Sequence, residues 1–367
     1  MTMIRLATVG FWMALPVFSV ATLARAQDSV RLRKGETETG RIESENYDVL
    51  VLKAKKAKEK EERVLRLSWD TVVDVTYGNN VEYNQAINLI AGGNVGAAIP
   101  KLQALVDGSS LRKELKPLVM FQLGAAMQRT GKFAEAAAMQ REVAKQFPKT
   151  HYLLNAAQSI VDCHVALGDA AGGTAAIDEL VTAAAAGGVD QNYLSAFDYF
   201  RGRLLEEQKN LAGAKSKYQA VAAGRTGSAA MTAMARMRIA RCEQAEGQVE
   251  PARNAYKALV ELDVANEVLA GAWNGLADLA FDEGAKAKHM EKLTNALFMY
   301  LRGVVEYGPA PGESSGEHER ALAGASQTFK LLGELETDEV KKKQHVERSK
   351  QRLAQLKKEF PNSVYGK

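Results

Sequence analysis

The feature that most limits the possible folds is a sequence that recurs with drift along most of the chain. Its clearest copy, residues 117–150, reads PLVMFQLGAAMQRTGKFAEAAAMQREVAKQFPKT. Apolar residues at helical spacing lie on both sides of Thr130-Gly131-Lys132, and Pro148 closes the unit. The pattern predicts two short amphipathic helices joined by a tight turn. Aligned on the turn and the small residues around it, further copies begin at 79, 154, 195, 233 and 268. One helical pair cannot bury its apolar face alone, so a repeat of this length implies a stacked solenoid.

The small residues have a packing reason. Gly124, Gly202, Ala240 and Gly275 sit in the first helix of their units, and Ala136, Ala214, Ala252 and Ala296 follow the turn. Both sets let paired helices approach closely. Tyr218, Tyr256 and Tyr300 are expected to fill the gap to the next unit. Two units depart from the pattern. Gly173 replaces the alanine in 154–187, and the sixth unit has extra residues between Gly275 and Ala296, so that 284–290 lengthens either a loop or a helix.

On these residues the chain resembles the tetratricopeptide repeat, whose nominal period is 34 residues. The resemblance covers 79 to about 309 and extends to the last two helices. It implies a concave groove lined by the first helices, with Gln128, Arg129, Gln158, Asp162, Tyr199, Arg203, Glu206, Arg241 and Gln244 as candidate partner-binding residues. Solvated polar residues with no partner are the alternative reading of that set. The family's carboxylate clamp needs lysine and asparagine at groove sites that here hold Phe121, Gln158, Tyr199 and Met237, which disfavours a chaperone-tail ligand.

Residues 28–78 follow a different pattern, with four or five short alternating or β-rich runs. They predict a small, strongly bent all-β domain, similar in run order to Sm-like or SH3-like barrels. It is expected to cap the solenoid or dock a partner. The run KAKKAKEKEE at 53–62 reads as a solvated hairpin tip, with a patch for acidic polymer or lipid headgroups as the alternative.

Residues 1–26 resemble an export signal. Arg5 precedes an apolar run from Leu6 to Leu23, and Ala24-Arg25-Ala26 offers a small-x-small cleavage site before Gln27. The same run nearly reaches spanning length, so an uncleaved anchor remains open. Cleavage after Ala26 would take two of the 48 Lys and Arg, leaving 46 against 44 acids, a net +2 that argues against a nucleic-acid footprint. Only Cys163 and Cys242 are present. They fall two repeats apart, too far for a disulfide, and are expected to be buried thiols.

The expected organisation is therefore mainly α: a signal at 1–26, a β domain at 28–78, and a solenoid of about six to seven helix-turn-helix repeats at 79–310. A breaker at 311–316 and capping helices at 317–367 complete it. Motifs for chemistry are weak. Gly312-Glu313-Ser314-Ser315-Gly316 satisfies G-x-S-x-G but lacks the preceding strand that a nucleophile elbow needs. His151, His164, His289, His318 and His345 lie in different units without ligand spacing. Met231, Met234 and Met237 suit core or groove packing. No cofactor, metal or enzyme activity is expected.

The leading expectation is an exported, periplasmic or extracellular scaffold of the cell envelope that binds a protein or extended peptide. Membrane contact is expected only through the N-terminal segment, if it is kept. The alternative is a carbohydrate- or cell-wall-associated binding module using the β domain. An envelope hydrolase would require a reactive Ser314.

Overall fold

The computed structural model describes residues 27–54, 62–78, 80–109, 111–224, 229–309, 315–361 and 363–366. The export segment, most of the charged run at 53–62, and Gly312, Glu313 and Ser314 of the G-x-S-x-G motif lie outside these residues.

Five strands come first: β1 (Asp28–Leu32), β2 (Thr37–Glu45), β3 (Val49–Ala54), β4 (Arg63–Ser68) and β5 (Val72–Thr76). They form one antiparallel sheet in the order β4-β3-β2-β1-β5. Register shifts at Arg31/Leu32 and Ile42/Ser44 insert extra residues, which bend a strand and increase its twist. Alternation along β2 and β3 puts Ile42, Leu50, Leu52 and Ala54 on the buried face, none more than 1% exposed.

Helical hairpins then follow in sequence: α1 (Val81–Ala91) with α2 (Val95–Asp107), α3 (Lys116–Arg129) with α4 (Phe133–Gln146), and α5 (Leu153–Leu167) with α6 (Ala170–Ala186). The short α7 (Gln191–Ser195) leads into α8 (Asp198–Glu207), paired with α9 (Leu211–Ala223). Next come α10 (Ala229–Ala245) with α11 (Val249–Val260), α12 (Asn266–Ala287) with α13 (Met290–Val305), and α14 (Gly316–Leu335) with α15 (Glu339–Glu359). The fold is a mainly α solenoid of tetratricopeptide-like hairpins behind a five-stranded sheet. Among the described residues, no helix is long and apolar enough to cross a membrane.

Packing follows the small-residue logic with one shift of partner. Ala136, Ala214, Ala252 and Ala296 are fully buried. A Cβ on Gly202 would enter the Tyr218 ring of the same hairpin, while one on Gly275 or Gly324 would enter the ring of Tyr256 or Tyr300 from the preceding hairpin. Tyr256 and Tyr300 thus fill gaps between units, whereas Tyr218 wedges within its own. At Gly173 the facing group is Leu204 Cδ2, 2.6 Å from an added Cβ, so bulk on the next unit occupies the place an alanine would take. The extra residues of the sixth unit lengthen α12, which ends only at Lys288 in the left-handed region. Between α7 and α8 the chain makes a turn at Ala196-Phe197, so the first helix of the unit expected from residue 195 begins at Asp198. Hairpin turns use glycine where φ is positive, as at Gly131 (φ +81°), a conformation that costs other residues a Cβ clash.

Candidate functional site

The first helices of successive hairpins pack along one face, α3 on α5, α5 on α8, α10 on α12 and α12 on α14. This face is concave at its C-terminal end, because Arg241 on α10 reaches past α12 to pair with Glu317 on α14 at 2.7 Å. Asn274 of the intervening α12 donates to the Glu317 carbonyl at 2.8 Å and to its carboxylate at 3.2 Å. Arg320 pairs with Glu317 at 3.4 Å and with Asp278, and Tyr300 donates to Asp278 as well.

The network continues toward the N-terminus. Arg238 donates to Glu206 at 3.2 Å and to the Tyr199 hydroxyl at 3.4 Å. Arg203 pairs with Asp162 at 2.8 Å, and Gln158 donates to the same carboxylate at 2.8 Å. Ser159 donates to Gln128 at 2.6 Å, and Tyr256 donates to Gln244 at 3.0 Å. Most of the inner face is thus polar and paired within itself, with Arg241 Nε and Asn274 Oδ1 left as buried atoms without a hydrogen-bond partner.

Electrostatics separate two kinds of acid on this face. Burial pushes the Glu317 carboxyl up, but Arg241, Arg320 and Arg238 pull it further down, well below the usual carboxylate range. Glu267, at the start of α12, goes the other way, raised by desolvation and then by Glu317 and Asp162. Its side chain is exposed and makes no hydrogen bond or ion pair among the described residues. Arg203 and Arg238 act on it in the opposite sense.

Every candidate groove residue except Tyr199 is half-buried. Tyr199 is 1% exposed and packs against Phe200 and Tyr218, so only its hydroxyl serves the network. Arg203 and Arg241, the cations expected to meet a partner, are already neutralised by Asp162 and Glu317. Burial lowers the Arg129 guanidinium from its ordinary value. Of the clamp positions, Phe121 stacks on Tyr152 with ring centroids 5.4 Å apart, and Met237 is 1% exposed beside Gly271. Met231 is buried too. The sequence reading missed Arg238, Glu267, Asn274, Glu317 and Arg320. Glu317 and Arg320 were assigned to a capping helix, and only the curvature brings them to this face.

The β domain is fixed to the first hairpins. Asp28, 2% exposed, accepts from the Ile42 and Gly78 amides at 2.7 and 2.9 Å, and from both terminal nitrogens of Arg112 at 2.7 and 2.9 Å. Arg112 lies between α2 and α3, so this fork clamps sheet to solenoid. Trp69 stacks on His151 with centroids 3.5 Å apart, and burial lowers His151 to about 4. The Tyr47 amide donates to the Lys149 carbonyl at 2.8 Å, and its ring meets Tyr193 at 4.7 Å. One apolar core runs from Val30 and Ile42 through Tyr77 to Leu102 and Leu123. At this junction Glu45 accepts from Tyr77 at 2.7 Å. Burial raises it to about 7 against that hydrogen bond, with Glu114 adding to the rise.

Among the described residues, no group of three His, Cys, Asp or Glu could hold a metal. Cys163 and Cys242 are buried free thiols, each pushed up to about 12 by burial. Residues 118–150, which lie within α3, α4 and the turn after them, match the family model of the tetratricopeptide repeat. No curated protein matches the chain by sequence. Among solved structures it is similar to a tetratricopeptide repeat protein from Parabacteroides merdae, at 16% identity and TM-score 0.39, covering 74% of this chain and 100% of that one. It is also similar to Pseudomonas aeruginosa PilF, at 12% identity and TM-score 0.38, covering 68% and 94% of the two chains. PilW, described as a type IV pilus biogenesis factor, matches at 15% identity and TM-score 0.37, covering 68% and 96%.

Proposed function

We propose that the protein is an exported, non-enzymatic scaffold of the cell envelope that holds a protein partner or extended peptide on the concave face of its solenoid. The observation that carries this reading is the inner face itself. From α3 to α14 the first helices of the hairpins carry a polar network, held by pairs such as Arg203 with Asp162 and Arg241 with Glu317. Such preorganisation lowers the ordering cost of binding. The docked β domain, which we read as a small barrel of the Sm or SH3 type, steadies the first hairpins through Asp28 and Arg112.

The paired state of Arg203 and Arg241 decides how to test it. Reversing either charge would strand Asp162 or Glu317 and disturb the fold, and deleting the β domain would open a shared core. Glu267 is exposed and outside the network, so Glu267→Lys changes the face without unpairing a buried group. A tagged full chain, crosslinked in cells and purified, is expected to recover one or two stoichiometric envelope proteins. Their recovery should fall with Glu267→Lys, and the mature chain should begin at Gln27. Recovery of abundant bystanders alone, or an intact residue 1 in the cytoplasm, would sink the reading.

A further inference from the structure

The solenoid ends in a helix whose charge is unlike the rest of the chain. In α15, Lys and Arg number eight and Glu three, a net +5; since the whole chain carries +4, all other residues together sum to −1. The chain's net positive charge therefore comes entirely from this helix.

Little of that charge is used within the protein. Of the eight cations, Lys342 pairs with Glu339 at 3.4 Å, and Arg348 lies 5.9 Å from the Phe329 ring centroid. Glu359 is taken by His318 at 3.0 Å. Lys341, Lys343, Lys350, Arg352, Lys357 and Lys358 make no ion pair among the described residues. Only Leu356 is buried, where it joins Val304 and Leu322, so one side of the helix holds it to the solenoid and the remainder is open.

The spacing orders these charges. Lys343, Lys350 and Lys357 recur every seven residues, which places them in a row along one flank about 10.5 Å apart at 1.5 Å per residue. Lys341, Arg348 and Arg352 fall on the opposite flank at helical spacing. Between the two rows runs an outermost ridge of Val340, Gln344, Glu347, Gln351 and Ala354. Val340 is 66% exposed, and Val346, beside the first row, is 40% exposed.

We propose that this face of α15 docks the protein onto an anionic lipid surface. The two rows suit a flat sheet of negative headgroups, since long lysine and arginine stems on both flanks can reach down while the ridge rests against the surface. Val340, on the ridge and 66% exposed, places an apolar group where an interfacial helix inserts one. A nucleic acid fits less well. A helix entering a groove would lead with its ridge, which here holds Glu347 and no cation until Lys358, and α15 has no Phe, Tyr or Trp for base stacking, its one imidazole, His345, lying against Phe329 of α14. This docking would add a membrane contact at the opposite end of the chain from the apolar N-terminal segment, and does not depend on what the concave face binds.

The test is flotation of the purified mature chain with vesicles of phosphatidylcholine alone or mixed with phosphatidylglycerol. Binding is expected only with phosphatidylglycerol and should weaken steeply with added salt. Neutralising the row as K343Q/K350Q/K357Q should reduce the partition coefficient about a hundredfold, from the usual contribution of one such cation near a charged surface. These side chains are exposed, and a thermal unfolding profile matching the parent would show that the fold is kept. Failure to float with anionic vesicles, or equal binding by the triple variant, would overturn the proposal. So would retention by a DNA duplex at salt concentrations where vesicles are released.

Discussion

Replacing Glu317 with alanine should destabilise the C-terminal half of the solenoid more than any other single change on the inner face. The residue is 4% exposed, accepts from Arg241 at 2.7 Å, Arg320 at 3.4 Å and Asn274 at 3.2 Å, and joins α10, α12 and α14. Its loss leaves Arg241 without its acid partner, whereas Arg320 keeps Asp278. Removing one partner of a buried charge pair costs about 3–5 kcal/mol, and the remaining pair on Arg320 argues for the lower end, about 3 kcal/mol. Replacing both members, as R241M/E317M, should recover much of that loss, because no isolated charge is then left buried.

The assay is urea unfolding followed by tryptophan fluorescence in a W69F background. Trp273 lies on α12, beneath the Arg302 guanidinium at 4.4 Å, and reports the affected hairpins. Stacked repeats couple mainly to their neighbours, so Trp69, at the other end, should shift less when read in W273F. The pH dependence has a fixed sign. The folded-state pKa of Glu317 is depressed, so its contribution is present above the unfolded value near 4.5 and is lost as pH falls through the acid range. Glu317→Gln should flatten that part of the profile. A loss below about 1 kcal/mol, the scale of an exposed pair, would refute a buried, structural role for this carboxylate.

Three further outcomes follow from single contacts. Arg112→Ala leaves the 2% exposed Asp28 without its guanidinium fork and should release the β domain, read as new proteolytic cleavage between 77 and 83 and a red shift of Trp69 emission. Gly275→Ala drives a Cβ into the Tyr256 ring and should cost about 1–3 kcal/mol by overpacking, whereas G275A/Y256F should not rescue it, since the ring remains; G275A/Y256L should. Glu45 is raised from 4.5 to about 7 in the folded chain, so the folded state holds the extra proton between those values and stability should fall as pH rises through them. Glu45→Gln should remove that fall and leave the protein more stable than its parent at pH 8, measured by the unfolding midpoint.

Much of the architecture is written locally, and that part was legible. Gly131 needs a positive φ, Gly202 and Gly275 admit a tyrosine ring, and Ala136 and Ala252 close the helix pairs. Each requirement acts over one or two hairpins, within reach of a repeat pattern. The β runs were legible for the same reason, from alternation along β2 and β3. The inner face was legible only in part. Gln158, Asp162, Arg203 and Arg241 do lie along it, but a sequence does not reveal whether such charges meet a partner or each other. Arg241 and Glu317 are 76 positions apart and meet only because several small rotations between hairpins accumulate into curvature. Glu267 escaped notice because its surroundings, Asp162 and Arg203 as well as Glu317, come from helices far apart in sequence.

The central claim is that the concave face holds a partner, and site-specific photo-crosslinking in cells tests it most directly. A photoreactive residue would be placed at Gln158 or Glu267 on the inner face, and at Phe298, 62% exposed on the second helix α13. The two inner positions should capture the same protein in stoichiometric yield, and Phe298 should not. Capture of that protein equally from Phe298, or no adduct from either inner position, would contradict a groove-mediated scaffold.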